Sequence, residues 1–205
     1  SNGSFGNRLI ECATANGKNV AEIHVPWGKA MRPSDIEGKV TKDVEAVTWV
    51  SNESSTGVLS NSTALAEEVR KQNPDALIIV DAVTSAMAAD LDLPKLQPDA
   101  MIFGTQKALA LPPGLAIAVV SDRIIEKSKN VKNKGFYTDF VKLKKNADDN
   151  YALTTPPVSL MYALDYQLDN ILKEGMDHRY KRHEEMASMV QRWADEKFNG
   201  LFPEE

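Results

Sequence analysis

Ala76-Leu-Ile-Ile-Val80, followed at once by Asp81-Ala-Val-Thr-Ser85, decides the fold. Five apolar residues in a row predict a strand covered on both faces, as in a parallel sheet. The aspartate then falls at the carboxyl end of that strand, where open α/β sheets bind ligands. A carboxylate beside so apolar a run calls for a partner. Capping the next helical segment is an equally good use for it on position alone.

Outward from this strand, β-rich runs alternate with helical patterns. Val20–Val25, Ala46–Val50, Ala100–Phe103 and Leu115–Val120 read as further strands, the last again nearly continuous in apolar residues and so expected to be parallel and covered. Helical patterns run from Asn7 to Asn16, stopped by Gly17, and from Ser62 to Lys71, with Asn61 as N-cap. Ser121-Asp122 starts another to about Asn130. The alternation predicts an α/β fold with a doubly wound, mostly parallel sheet and helices on both faces. After Lys132 the pattern turns helical: Phe136 to Lys145, then a long region opened by Pro156-Pro157 that reaches about Phe198 with a break near Gly175. Residues 1–157 are read as a large domain and 158–205 as long helices leading to a small domain that is absent.

A second chemical candidate lies in Phe103-Gly-Thr-Gln-Lys-Ala-Leu109, just before Pro112-Pro113-Gly114. Lys107 follows a buried strand among small and apolar residues. A lysine desolvated there has a lowered pKa and a nucleophilic amine; a lone loop lysine more commonly snorkels to solvent. Asp81 and Lys107 together change that balance. An acid and an amine on neighbouring strand ends can flank one flat cofactor, as pyridoxal phosphate requires: a Schiff-base lysine, and an acid opposite the pyridine nitrogen. A third strand is followed by Asn52-Glu-Ser-Ser-Thr-Gly-Val58, whose hydroxyls and N–H groups suit an anion or a ring substituent, although such a stretch is usually only a turn.

Five segments in order resemble the class V (fold type I) pyridoxal-phosphate-dependent aminotransferases, in the branch of alanine–glyoxylate, serine–pyruvate and phosphoserine aminotransferases. They are Asn2–Arg8, Glu53–Val58, Val80–Ser85, Gly104–Leu109 with Pro112-Pro-Gly114, and Tyr151–Leu160. The resemblance implies that Lys107 binds the cofactor covalently and moves the proton, and that Asp81 pairs with the ring nitrogen. It implies that Phe5 stacks on the ring, Val83 packs under it, Ser54 meets its hydroxyl side and Gln106 helps hold the phosphate. Tyr151 and Thr154 match a Tyr-x-x-Thr that reaches the neighbouring subunit's cofactor, which implies a homodimer with shared active sites. Taken singly, Phe5 reads as a core aromatic and Tyr151 and Thr154 as turn residues.

The implied reaction moves an amino group from phosphoserine, serine or alanine to 2-oxoglutarate, glyoxylate or pyruvate, with Asn2-Gly-Ser-Phe5 leaning toward phosphoserine. The family's small-residue phosphate loop and its carboxylate-binding arginine have no match in this chain, so a large-domain fragment is expected. Two competing readings are a cysteine desulfurase-like lyase, which needs a reactive cysteine, and a catalytically inactive α/β dimerisation fragment.

Composition agrees with a folded, acidic chain. Of 205 residues, 42% are hydrophobic, and the 24 basic against 29 acidic side chains give a net charge of −5, which argues against a nucleic-acid binder. Arg123 to Lys145 holds eight basic and two acidic residues but no aromatic stacking pattern, and reads as a solvated face. The longest uncharged run, Ala108 to Ser121, is too short to span a membrane. The polar start and the single cysteine point to the cytoplasm. Cys12 sits in a helical pattern and reads as core. His24, His178 and His183 lack metal-ligand spacing, so no metal is expected. Trp49 and Trp193 read as structural.

Overall fold

The computed structural model describes residues 1–204. Its centre is a four-stranded sheet made from β1 (Ala46–Val50), β4 (Leu77–Asp81), β5 (Ala100–Gly104) and β6 (Ala116–Val120), in the order β1-β4-β5-β6. The first three strands are parallel and β6 is antiparallel to β5. A two-stranded ribbon, β2 (Asn52–Glu53) and β3 (Val58–Leu59), follows β1.

Alternation along β4 explains how the sheet is covered. Ile78 and Val80 face the main core, where they meet Trp49, Leu65, Val69 and Leu96. Leu77 and Ile79 face the opposite side and meet Ala100, Val120 and Ile124 in a smaller cluster. The main core is closed by α3 (Ser62–Gln72), which buries Leu65, Ala66 and Val69, and the smaller one by α5 (Asp122–Lys129), which buries Ile124. Both helices start where the sequence places them. The Asn61 carboxamide oxygen accepts from Ala64 N–H at 3.0 Å, and the Ser121 hydroxyl from Ile124 N–H at 3.3 Å. Trp49 is buried, and its indole N–H donates to Ser62 Oγ at 2.9 Å, pinning β1 to the start of α3.

Five expectations are corrected, four of them here and the start of one helix below. The segment Val20–Val25 is extended but forms no strand: Val25 N–H donates to Ser1 O and Ile23 O accepts from Ser1 N, which leaves it outside the sheet. The strand read at Leu115–Val120 is neither parallel nor covered, since β6 is antiparallel and Val119 is 47% exposed. The reason lies in the connection. Only residues 105–115 separate β5 from β6, too few for the helical crossover that a parallel neighbour needs. Third, α1 (Ser4–Ala15) buries only Gly6, so Cys12 is exposed rather than part of the core. Fourth, Trp193 is 54% exposed and touches Phe198 edge-on instead of filling a core.

The remaining elements are the short α2 (Pro33–Ile36) and α4 (Leu93–Leu96), then α6 (Phe140–Asp148), α7 (Val158–Glu174) and α8 (Met176–Phe198). The helix read at Phe136 begins at Phe140 instead, because Asp139 caps it, accepting from Val141 and Lys142 N–H. Gly175 separates α7 from α8 with φ of 82°, a left-handed conformation that favours glycine. Among the described residues no helix is long and apolar enough to cross a membrane.

Candidate active site

Because β1, β4 and β5 run parallel, the chain leaves all three at the same edge of the sheet. That edge collects Ser51–Ser55 after β1, Asp81–Ser85 at the end of β4, and Thr105–Leu115 after β5. Register holds them side by side: Val50 lies opposite Asp81, and Asp81 opposite Ile102. Ser51 N–H donates to Asp81 O at 2.8 Å and Ala82 N–H to Ile102 O at 2.9 Å, so the pairing continues into the loops.

Asp81 is half-buried. Its Oδ1 accepts from Val83 N–H at 2.9 Å, and no described residue bonds its other oxygen or forms an ion pair with it. Burial pushes its carboxyl above the usual aspartate range; the Val83 N–H opposes this, and the negative charge of Glu53 adds to it. Thr84 joins this segment to the one after β1. Its hydroxyl donates to Asn52 O at 2.8 Å and accepts from Ser54 Oγ at 3.2 Å and Asn52 Nδ2 at 3.1 Å.

Lys107 sits in the third loop. The loop is closed on itself: Ala110 N–H donates to Lys107 O, Leu111 N–H to Thr105 O, and Thr105 Oγ1 to Pro112 O at 2.7 Å. Lys107 is exposed, so its amine is not desolvated by this chain. Gln106 is also exposed and folds its amide back over Gly104, where a β-carbon would collide with it.

Phe5 reaches the same edge through a residue that sequence reasoning left without a role. Glu53 is completely buried. Its Oε2 accepts from Phe5 N–H at 3.0 Å and Gly6 N–H at 2.9 Å, and its Oε1 from Ser55 N–H at 3.1 Å and Ser55 Oγ at 2.7 Å. Phe5 and Gly6 are the second and third residues of α1, whose own N-cap, Gly3, offers no side chain. Glu53 therefore caps α1 from another part of the chain, with its charge at the positive end of the helix. Gly3 leaves the room: a β-carbon there would overlap the Glu53 side chain. No sequence signal marks this contact, because most of the partners of Glu53 are backbone N–H groups, two of them over 40 residues away. Replacing Glu53 by alanine is expected to lower stability by about 3 kcal/mol, since buried donors lose a charged acceptor. A denaturant midpoint within error of the parent protein would contradict this.

Ser54, Asp81, Val83, Gln106, Lys107 and Phe5 are thus brought to one edge of the sheet. Tyr151 and Thr154 are not. Both are exposed between α6 and α7, and Tyr151 N–H bonds to Asn146 O. The histidines also stand apart, and among the described residues no His, Cys, Asp and Glu side chains gather as a metal site.

A strand-end carboxylate with no counter-charge among the described residues thus shares one sheet edge with a loop lysine and a ring-bearing helix start. A model of the class-V aminotransferase family matches residues 7–196. The chain belongs to the class-V aminotransferases. The soluble hydrogenase 42 kDa subunit of Anabaena cylindrica is 38% identical over 188 residues, 90% of this chain and 49% of that protein. The L-aspartate–glyoxylate aminotransferase of Paracoccus denitrificans is 30% identical over 198 residues, covering 95% of this chain and 50% of the relative. The solved phosphoserine aminotransferase of Cytophaga hutchinsonii superposes with a TM-score of 0.87 at 31% identity, over 95% of this chain and 54% of that one. The chain spans about half the length of the curated relatives it matches.

Proposed function

We propose that this chain forms the cofactor-binding part of a pyridoxal-phosphate-dependent aminotransferase that moves an amino group between a small amino acid and a 2-oxo acid. One observation carries the reading. Asp81 presents a half-buried carboxylate at the strand ends, with one oxygen fixed by Val83 N–H and the other without a partner among the described residues. That is the acceptor chemistry a protonated pyridine nitrogen needs, so the residues present fit pyridoxal phosphate.

When bound, the cofactor supplies an electron sink for the breaking Cα–H bond of the amino acid. Asp81 would accept the ring N–H and keep that nitrogen charged. Lys107, exposed at this edge, would hold the cofactor covalently through its amine and would take the proton from the substrate Cα. Val83 orients Asp81 through its N–H, and Val83 and Phe5 would hold the ring by apolar contact. Ser54, whose hydroxyl bonds Thr84 here, would hold the ring hydroxyl, and Gln106 would help hold the phosphate. Tyr151 and Thr154 serve the partner's site in a homodimer. The apolar residues that α7 leaves exposed, Val158, Tyr162, Tyr166 and Leu172, support such an interface. Residues 1–157 then act as the large domain and 158–205 as helices leading on from it, in a cytoplasmic enzyme.

For substrates, the reading takes glyoxylate as acceptor and phosphoserine, serine or alanine as donor: relatives are named for glyoxylate with L-aspartate, serine or alanine, and one solved neighbour for phosphoserine. Adding pyridoxal phosphate to the full-length protein, reducing with borohydride and mapping the tagged peptide tests the reading. The expected tag is on Lys107, with the protein sedimenting as a dimer and the visible band bleached by one of these donors. A protein that takes up no tag at Lys107 overturns it.

A further inference from the structure

Arg179 lies in the first turn of α8 and is 5% exposed. Its guanidinium is forked over three acceptors from three parts of the chain. Nε donates to Met87 O at 2.8 Å, Nη1 to Glu174 Oε2 at 2.8 Å, and Nη2 to Ala108 O. Ala108 is the neighbour of Lys107, and Met87 lies six residues beyond Asp81. One buried side chain on a C-terminal helix therefore grips both loops that bear the candidate chemistry.

Each gripped loop contains a non-glycine residue in the left-handed region: Met87 with φ of 65°, and Ala110 with φ of 55°. Such conformations persist only where the surroundings over-determine them. The internal hydrogen bonds of the Lys107 loop use the carbonyls of Thr105 and Lys107, which leaves the Ala108 carbonyl for Arg179. The guanidinium is fixed in turn. Glu174 receives Arg182 Nε at 2.6 Å as well as Arg179, and these two cations, Arg182 foremost, hold its carboxyl down to about 2, so it stays charged. The Lys107 loop is thus tied to the joint between α7 and α8.

We propose that Arg179 is a positioning residue for Lys107, setting the loop 105–111 by gripping the Ala108 carbonyl while holding the Asp81-bearing segment through Met87. A lysine in its place supplies one point of donation where a planar fork reaches three acceptors. The role of Lys107 as the cofactor-binding amine rests on the function proposed above; the grip on its loop does not.

Hydrogen exchange on the cofactor-free, full-length protein tests the grip directly. In Arg179→Ala, the Ala110 and Leu111 amides are expected to exchange about tenfold faster, with the Ile78–Val80 amides unchanged. Should Arg179→Ala not fold, Arg179→Lys reads the same loop. Arg182→Ala, which removes a Glu174 partner but no loop contact, is expected to leave these amides as they are. Reductive capture of pyridoxal phosphate on Lys107 is expected to slow by about the same factor in Arg179→Lys, with the lysine still present. An unchanged loop in a folded Arg179 variant, a uniform rise that includes the strands, or an equal effect from Arg182→Ala overturns the proposal. A parent protein that captures no cofactor on Lys107 refutes the functional reading instead, and the exchange result still decides the grip.

Discussion

Lys107→Ala in the full-length protein is expected to have no measurable transaminase activity while folding as the parent does. The two halves of this expectation have separate grounds. Lys107 is exposed, and no hydrogen bond or ion pair of its side chain is seen among the described residues, so removing it should shift stability by no more than about 0.5 kcal/mol. Its loop is held by backbone groups of Thr105, Lys107, Ala110 and Leu111, by the Thr105 hydroxyl, and by Arg179 at Ala108, all of which the substitution leaves in place. Chemically, the variant loses a general base, worth about 10²–10⁴ in rate, and also the covalent amine, which compounds the loss. Cofactor is expected to remain associated without a bond to protein, so borohydride should fix none of it. Paired measurements of the melting curve and of amino transfer check this. Turnover near that of the parent protein would remove Lys107 from the chemistry.

What could be read from the sequence, and what could not, follows from where each signal resides. The strands Ala46–Val50, Leu77–Asp81 and Ala100–Gly104 were legible because their own side chains are apolar. Asn61, Ser121 and Gly175 were legible because caps and breaks are local. Val20–Val25 has the right alternation, yet a strand exists only through its neighbour, and the backbone bonds this segment makes go to Ser1. The direction of β6 was set by the length of the 105–115 connection rather than by the apolarity of Ala116–Val120. In the site, Asp81 and Lys107 stood out as charged residues at the ends of apolar strands. Glu53 and Arg179 did not, since their acceptors and donors are mainly peptide groups that every residue possesses. Lys107 itself was expected to be desolvated, and the open side of its loop leaves it exposed.

Asp81→Asn is expected to lower the rate of amino transfer about a thousandfold, the scale of removing one preorganised charge from a reacting centre, and at the same time to stabilise the cofactor-free protein at neutral pH. The stability effect follows from the sign of the Asp81 shift. Burial raises its carboxyl above the unfolded value of about 3.9. Ionising it is therefore harder in the folded state than in the unfolded one. Below the unfolded value the group is neutral in both states and contributes no penalty. As pH rises from the unfolded value through the folded one, the folded state loses stability relative to the unfolded state, so the penalty is present on the alkaline side of the unfolded value. Asparagine does not ionise, and its Oδ1 still accepts the Val83 N–H, so the variant keeps the turn without the penalty. Denaturant midpoints of the cofactor-free pair should diverge in favour of Asp81→Asn at pH 7 and converge below about pH 3.9. Saturating pyridoxal phosphate should reverse the order at pH 7, because only the aspartate gains a counter-charge. A variant less stable than the parent protein at pH 7 without cofactor would mean that Asp81 already has a cationic partner, and would undo the fit on which the cofactor assignment rests.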